Sequence, residues 1–126
     1  MAAGNYSFTI EQGTTFERVF KYKDENGAPV DLTGYDVRMQ IRSSYDSVTT
    51  LASLTSGSGD FVLSVPIDAV EPYTTTKNQI KLTISATNTA AYTFDQALYD
   101  IELESETGVV TRLLQGKIKL SREVTK

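Results

Sequence analysis

The densest set of ionisable side chains is the row Asp100, Glu102, Glu104 and Glu106, set two residues apart. Carboxylates in such number can bind a cation or work as a catalytic pair. On a strand, however, neighbours at i and i+2 stand roughly 7 Å apart at about 3.4 Å per residue, and they do not converge on one ion. The row reads as a solvated strand face, balanced by Arg112, Lys117 and Lys119 on the next strand. Asp24-Glu25-Asn26-Gly27 opens like a calcium loop, but the later oxygen ligands and the closing glutamate are missing. It reads as a hairpin turn, because Asn-Gly tolerates the positive φ of a tight turn.

The chain contains no histidine, cysteine or tryptophan. Without histidine it lacks the commonest general base and the commonest metal ligand. Without cysteine it has no thiolate nucleophile, zinc-finger ligand set or disulfide. Ser43 to Gly59 is rich in serine, threonine and glycine, yet holds no Gly-x-Ser-x-Gly elbow. The expectation is a protein that is not an enzyme and carries no cofactor and no metal.

Binding chemistry is better represented. Arg38 and Arg42 share one strand face with Gln40 between them, and with Arg18, Lys21 and Lys23 they make a basic stripe suited to an acidic neighbour. The net charge of −4 disfavours nucleic acid. Most tyrosines, Tyr35 and Tyr99 among them, fall on inward positions. Tyr45, Tyr73 and Tyr92 fall in looser segments and are the candidate partner anchors. The expected partner-binding residues are therefore Tyr45, Tyr73, Tyr92, Arg38 and Arg42.

Those residues need strands to position them. The 126 residues suit one domain, with an elaborated loop region at 43–79. Tyr6, Phe8 and Ile10 alternate with polar residues as a half-buried strand does. Phe16, Val19, Phe20 and Tyr22 break that parity, which predicts a bulge near Glu17 and Arg18. Val30 and Leu32 should tuck under the connection from Pro29 to Gly34. Tyr35, Val37, Met39 and Ile41 give the cleanest period-two segment.

Shorter strands are expected at Thr49 to Leu54, at Phe61 to Val65 and at Ile80 to Ile84. One helical turn is expected around Asp68 to Val70. Another is expected at Thr87 to Tyr92, capped by Thr87 or Asn88 and carrying the chain between two sheets. A last hairpin turns at Glu106-Thr107-Gly108. It should place Thr111 opposite Leu103, Leu113 opposite Ile101 and Arg112 across from Glu102, with a parity switch at Gly116. About seven to nine short strands predict an all-β, immunoglobulin-like antiparallel sandwich with at most one or two helical turns.

Met1 to Gly4 lacks a basic region followed by an apolar run, so no signal peptide is expected. No apolar stretch approaches the roughly 20 residues a membrane helix needs.

An ordered set of segments carries a resemblance. It runs through Phe8-Thr9-Ile10-Glu11-Gln12-Gly13 with Phe16, then Lys23 to Tyr35, then Met39-Gln40-Ile41-Arg42. It continues at Ile84 to Ala91 and closes with Tyr99 to Leu103, Gly108 to Gly116, and Val124-Thr125. The Gly27-Ala28-Pro29-Val30-Asp31-Leu32-Thr33-Gly34 turn, with the late tyrosine strand and glycine hairpin, is similar to the N-terminal domain of phage baseplate upper proteins. The chain thus resembles a family of small tailed-phage virion proteins with an immunoglobulin-like fold. The resemblance implies a structural module of tail, baseplate or neck, made in the host cytoplasm and located in the virion. Its partners would be other phage structural proteins and copies of itself. Two alternatives stay open: a head decoration or cement protein, and a glycan-binding adsorption module using Tyr45 and Tyr73.

Overall fold

The computed structural model describes residues 4–44, 47 and 50–122. Residues 1–3, Tyr45, Thr49 and Val124-Thr125, named above, lie outside them. Among the described residues nine strands form two packed sheets. They are β1 (Gly4–Asn5), β2 (Phe8–Glu11), β3 (Phe16–Lys21), β4 (Asp36–Arg42), β5 (Ala52–Thr55), β6 (Phe61–Ser64), β7 (Gln79–Ile84), β8 (Gln96–Glu104) and β9 (Val110–Ser121). A single short helix, α1 (Ala86–Ala91), stands between β7 and β8.

The larger sheet runs β1-β9-β8-β4-β5, with β2 also on β9; the smaller runs β3-β7-β6. In immunoglobulin lettering β3, β7 and β6 are B, E and D, while β4, β8 and β9 are C, F and G. β5 takes the C′ place beside β4. The first strand departs from the all-antiparallel expectation: β1 and β2 pair parallel to β9. As anticipated, α1 carries the chain from the smaller sheet to the larger. Its N-cap is Ser85, ahead of the expected Thr87 or Asn88, and the Ser85 side chain accepts from Asn88 N at 3.2 Å.

Alternation builds the core. Strand β4 buries Val37, Met39 and Ile41 while Asp36, Arg38 and Gln40 face out. β8 buries Ala97, Tyr99, Ile101 and Leu103, and β7 buries Ile80, Leu82 and Ile84. Each of the valine, leucine, isoleucine and methionine side chains among them contributes about 1.5–3 kcal/mol when fully removed from water. Leu32 is fully buried, as its tucked position predicts. Asp31 holds it there, because its Oδ1 accepts from Thr33 N, Thr33 Oγ1 and Lys77 N. These bonds keep the Asp31 carboxyl below its ordinary value, the Thr33 side chain contributing most. Gly34 closes the turn at φ +83°, in the left-handed region that glycine enters without strain. The Gly-x-Pro-x-Asp-Leu-Thr-Gly motif is therefore a locked turn over the core.

Three expectations are corrected. β3 has no bulge: its register with β7 runs unbroken from Phe16↔Ile84 to Lys21↔Gln79. Arg18 therefore points inward between Phe16 and Phe20, and Val19 points out at 49% exposure. The inward arginine is tolerated because its guanidinium lies 5.0 Å from the Phe16 ring centroid and 5.9 Å from those of Phe8 and Tyr6. In the last hairpin Thr111 faces Leu103 and Arg112 faces Glu102, but Leu114, not Leu113, faces Ile101. The register shift thus falls at Leu113, before Gly116. Around Asp68 to Val70 there are separate turns in place of a helical turn, marked by Ala69 N→Pro66 O and Tyr73 N→Val70 O.

Candidate functional site

The outward face of β9-β8-β4 gathers Arg38, Arg42, Arg112 and the acidic row from Asp100 to Glu104. The expected basic stripe does not form, because Arg18 and Lys21 stand on β3 in the other sheet, Arg18 turned inward, and Lys23 follows that strand. Pairing aligns Arg38 with Glu102 and Gln40 with Asp100, and Arg42 with Leu98. Arg38 Nε donates to Glu102 Oε1 and its Nη1 to Glu104 Oε1, both at 2.9 Å. Arg112 Nε stands 3.7 Å from Asp100 Oδ2. The acidic row is thus neutralised partly from β4, a side the sequence reading had not considered. Arg42 turns to its own neighbourhood, donating Nη2 to Gln40 Oε1 and Nη1 to the Ser47 carbonyl.

These groups border a shallow recess of about 220 Å³ lined by Gln40, Arg42, Ser44, Leu98, Asp100 and Arg112. Burial raises the Asp100 carboxyl above its ordinary value and Glu102 adds to the rise, while Arg112, Arg42 and Arg38 oppose it. The recess offers one carboxylate and two guanidinium groups. It suits a polar, mixed-charge partner segment. Among the described residues no group of three or more aspartate or glutamate side chains is placed to hold a metal ion.

The two described tyrosine candidates lie elsewhere. Tyr73 is half-buried in the loop between β6 and β7, beside a second recess lined by Lys21, Pro29, Pro66, Asp68, Val70 and Asn78. Lys21 Nζ bridges to Asp68 at 3.0 Å and tacks this loop onto β3. The exposed Asp68 carboxyl is held below its ordinary value, chiefly by that hydrogen bond. Tyr92 is half-buried at the end of α1, packs on the core and lies 5.5 Å from the Phe94 ring. Burial pushes its phenol up, with Asp60 adding to the shift. Arg38 and Arg42 therefore share one face, while Tyr73 and Tyr92 each belong to a different part of the fold.

Sequence reasoning passed over the most exposed apolar groups. Ile67 is fully exposed and Val70 is 70% exposed, on either side of Asp68 in the loop that holds Tyr73. The signal was present in Val65-Pro66-Ile67-Asp68-Ala69-Val70, where Ile67 continues the alternation of Phe61, Leu63 and Val65 but lies past Pro66, beyond the end of the strand.

Strand order and packing define an all-β sandwich of two sheets with immunoglobulin-like strand order. No family model matches the chain, and no curated protein sequence matches it. Among the described residues no helix is long and apolar enough to cross a membrane.

Proposed function

We propose that this chain is a protein–protein assembly module of a tailed-phage virion, part of tail, baseplate or neck, acting by binding without turnover. The virion assignment rests on the ordered sequence resemblance. The assembly reading rests on the loop between β6 and β7.

The observation that carries it is the pairing of exposure with anchorage in that loop. Ile67 and Val70 are held out in solvent while Lys21–Asp68 and Tyr73 N→Val70 O fix the segment beneath them. Two large apolar side chains exposed three residues apart on a tied loop gain burial when a partner covers them, and exposed apolar patches mark contact sites. The neighbouring lysines and Asp68 supply the polar rim such a site needs.

The test is incorporation. Phage carrying Ile67→Asp with Val70→Asp should assemble particles depleted of this chain, while the purified variant melts as the parent does. Particles that keep the parental copy number of the variant would count against the loop as the contact.

A further inference from the structure

The β3 edge has a symmetry of its own. Tyr22 N donates to Asn78 O, so alternate residues Phe16, Arg18 and Phe20 direct their backbone groups to β7. Glu17, Val19 and Lys21 direct theirs away from it. Among the described residues no strand pairs with that side of β3. The first strand, which covers this edge in many sandwiches, has gone instead to β9. An uncovered row of N–H and C=O groups is a template for strand addition.

We propose that the partner at this edge is a second copy of the same edge. β3 pairs antiparallel with β3 of another molecule across a two-fold axis at Val19. It deepens the assembly reading and rests on it for association alone; the virion assignment is tested separately.

Three features select this register. Val19 opposes its own copy, while Glu17 opposes Lys21 of the second copy and Lys21 opposes Glu17. Every residue with outward backbone groups then meets another such residue, so each of these pairs is a hydrogen-bonded one. The charges are complementary at both ends, because Glu17 and Lys21 lie symmetrically about Val19. Opposite charges directly across strands favour pairing and like charges oppose it. Val19, 49% exposed, becomes covered at the centre. The present partners, Lys81 for Glu17 at 2.8 Å and Asp68 for Lys21 at 3.0 Å, are exposed pairs that cost little to share. A shift by one residue would set outward groups against inward ones and lose both charge pairs. The product is a continuous six-stranded sheet, β6-β7-β3 followed by its symmetry mate, closed as a two-fold interface should be.

The experiment uses the full chain in sedimentation equilibrium, with a cross-linking arm. A weak, concentration-dependent dimer is expected. Glu17→Lys or Lys21→Glu alone should weaken it by about tenfold, and the double exchange Glu17→Lys/Lys21→Glu should restore it. Because the chain has no cysteine, Val19→Cys is a unique probe. Hydrogen-bonded antiparallel partners have Cα atoms about 5.5 Å apart, within disulfide reach. Val19→Cys should therefore oxidise to a covalent dimer much faster than Val62→Cys, a slightly more exposed site on β6. A dimer that ignores the charge exchange, or a monomer at every concentration whose Val19→Cys form cross-links no faster than the control, overturns the self-pairing. If virions still carry such a chain, the assembly reading survives and this edge belongs to a foreign strand or to none.

Discussion

The Tyr99 phenol donates a hydrogen bond to the Tyr6 carbonyl oxygen, joining the middle of β8 to the link between β1 and β2. Strand β9 lies between them, and it is Gly116 that stands opposite Tyr99. A Cβ on Gly116 would sit 2.1 Å from the Tyr6 oxygen, so only glycine lets the first strand cross here. Burial, with Tyr6 adding to it, drives the Tyr99 phenol well above its usual range. The bond therefore keeps its proton through all ordinary pH.

Tyr99→Phe leaves the Tyr6 carbonyl without this donor and should cost about 1–3 kcal/mol in chemical denaturation. Gly116→Ala should cost more and should free the first strand. Faster amide exchange at Ser7 to Glu11 reports that release. An unchanged exchange pattern in Gly116→Ala would contradict the crossing.

Arg18 is packed rather than paired. Among the described residues its Nε is the buried side-chain nitrogen without a hydrogen-bond partner. Its value to the fold lies in contact with the Phe16, Phe8 and Tyr6 rings. Arg18→Leu keeps apolar volume and removes the orphaned donor, so its stability should match or exceed the parent's. Arg18→Ala should lose about 1–3 kcal/mol through vacated space. The order of the two midpoints in urea decides the matter.

Thr89 ties α1 to the turn between β2 and β3. Fully buried, its hydroxyl donates to Thr14 O at 2.7 Å and accepts from Gly13 N at 3.1 Å. Thr89→Val preserves shape but orphans both groups, and should destabilise by about 1–3 kcal/mol. An equal melting temperature in calorimetry would show that water replaces the hydroxyl without loss.

Asp100 and Asp31 should respond to acid with opposite signs. The folded Asp100 carboxyl lies above its unfolded value, so its charge opposes stability at neutral pH. That opposition is relieved as pH falls through the folded value. Asp100→Asn should then stabilise at neutral pH by less than about 1 kcal/mol, since the side chain is partly solvated, and the gain should vanish in acid. Asp31 lies below its unfolded value, so its support is present above that value and lost as pH falls through the folded one. Asp31→Asn should therefore be the less stable variant at neutral pH and converge on the parent in acid. Denaturation midpoints across the carboxylate range measure both slopes.

Strand positions were legible where burial is one-sided. Val37-Met39-Ile41 and Tyr99-Ile101-Leu103 alternate because one face meets the other sheet, and both segments lie where their pattern puts them. The helical turn between sheets was legible from Thr87 to Tyr92, though the cap is Ser85, two or three residues before the expected Thr87 or Asn88. What failed was local. Arg18 broke the inward pattern of β3 because a guanidinium over aromatic rings is apolar enough to face in, and period counting scores it as polar. Leu113 and Leu114 are chemically alike, so composition did not say which would bulge. The face shared by Arg38 and Arg42 was readable from strand parity. The separation of Tyr73 from Tyr92 was not, since it depends on which loops the two sheets bring to each end.

The proposed role is that of a sandwich held in a tailed-phage particle. A reconstruction of the intact virion at side-chain resolution tests it most directly. The account predicts density for this fold in tail, baseplate or neck, with Ile67 and Val70 covered by a neighbouring protein. Particles complete in every other component but without this chain would contradict it.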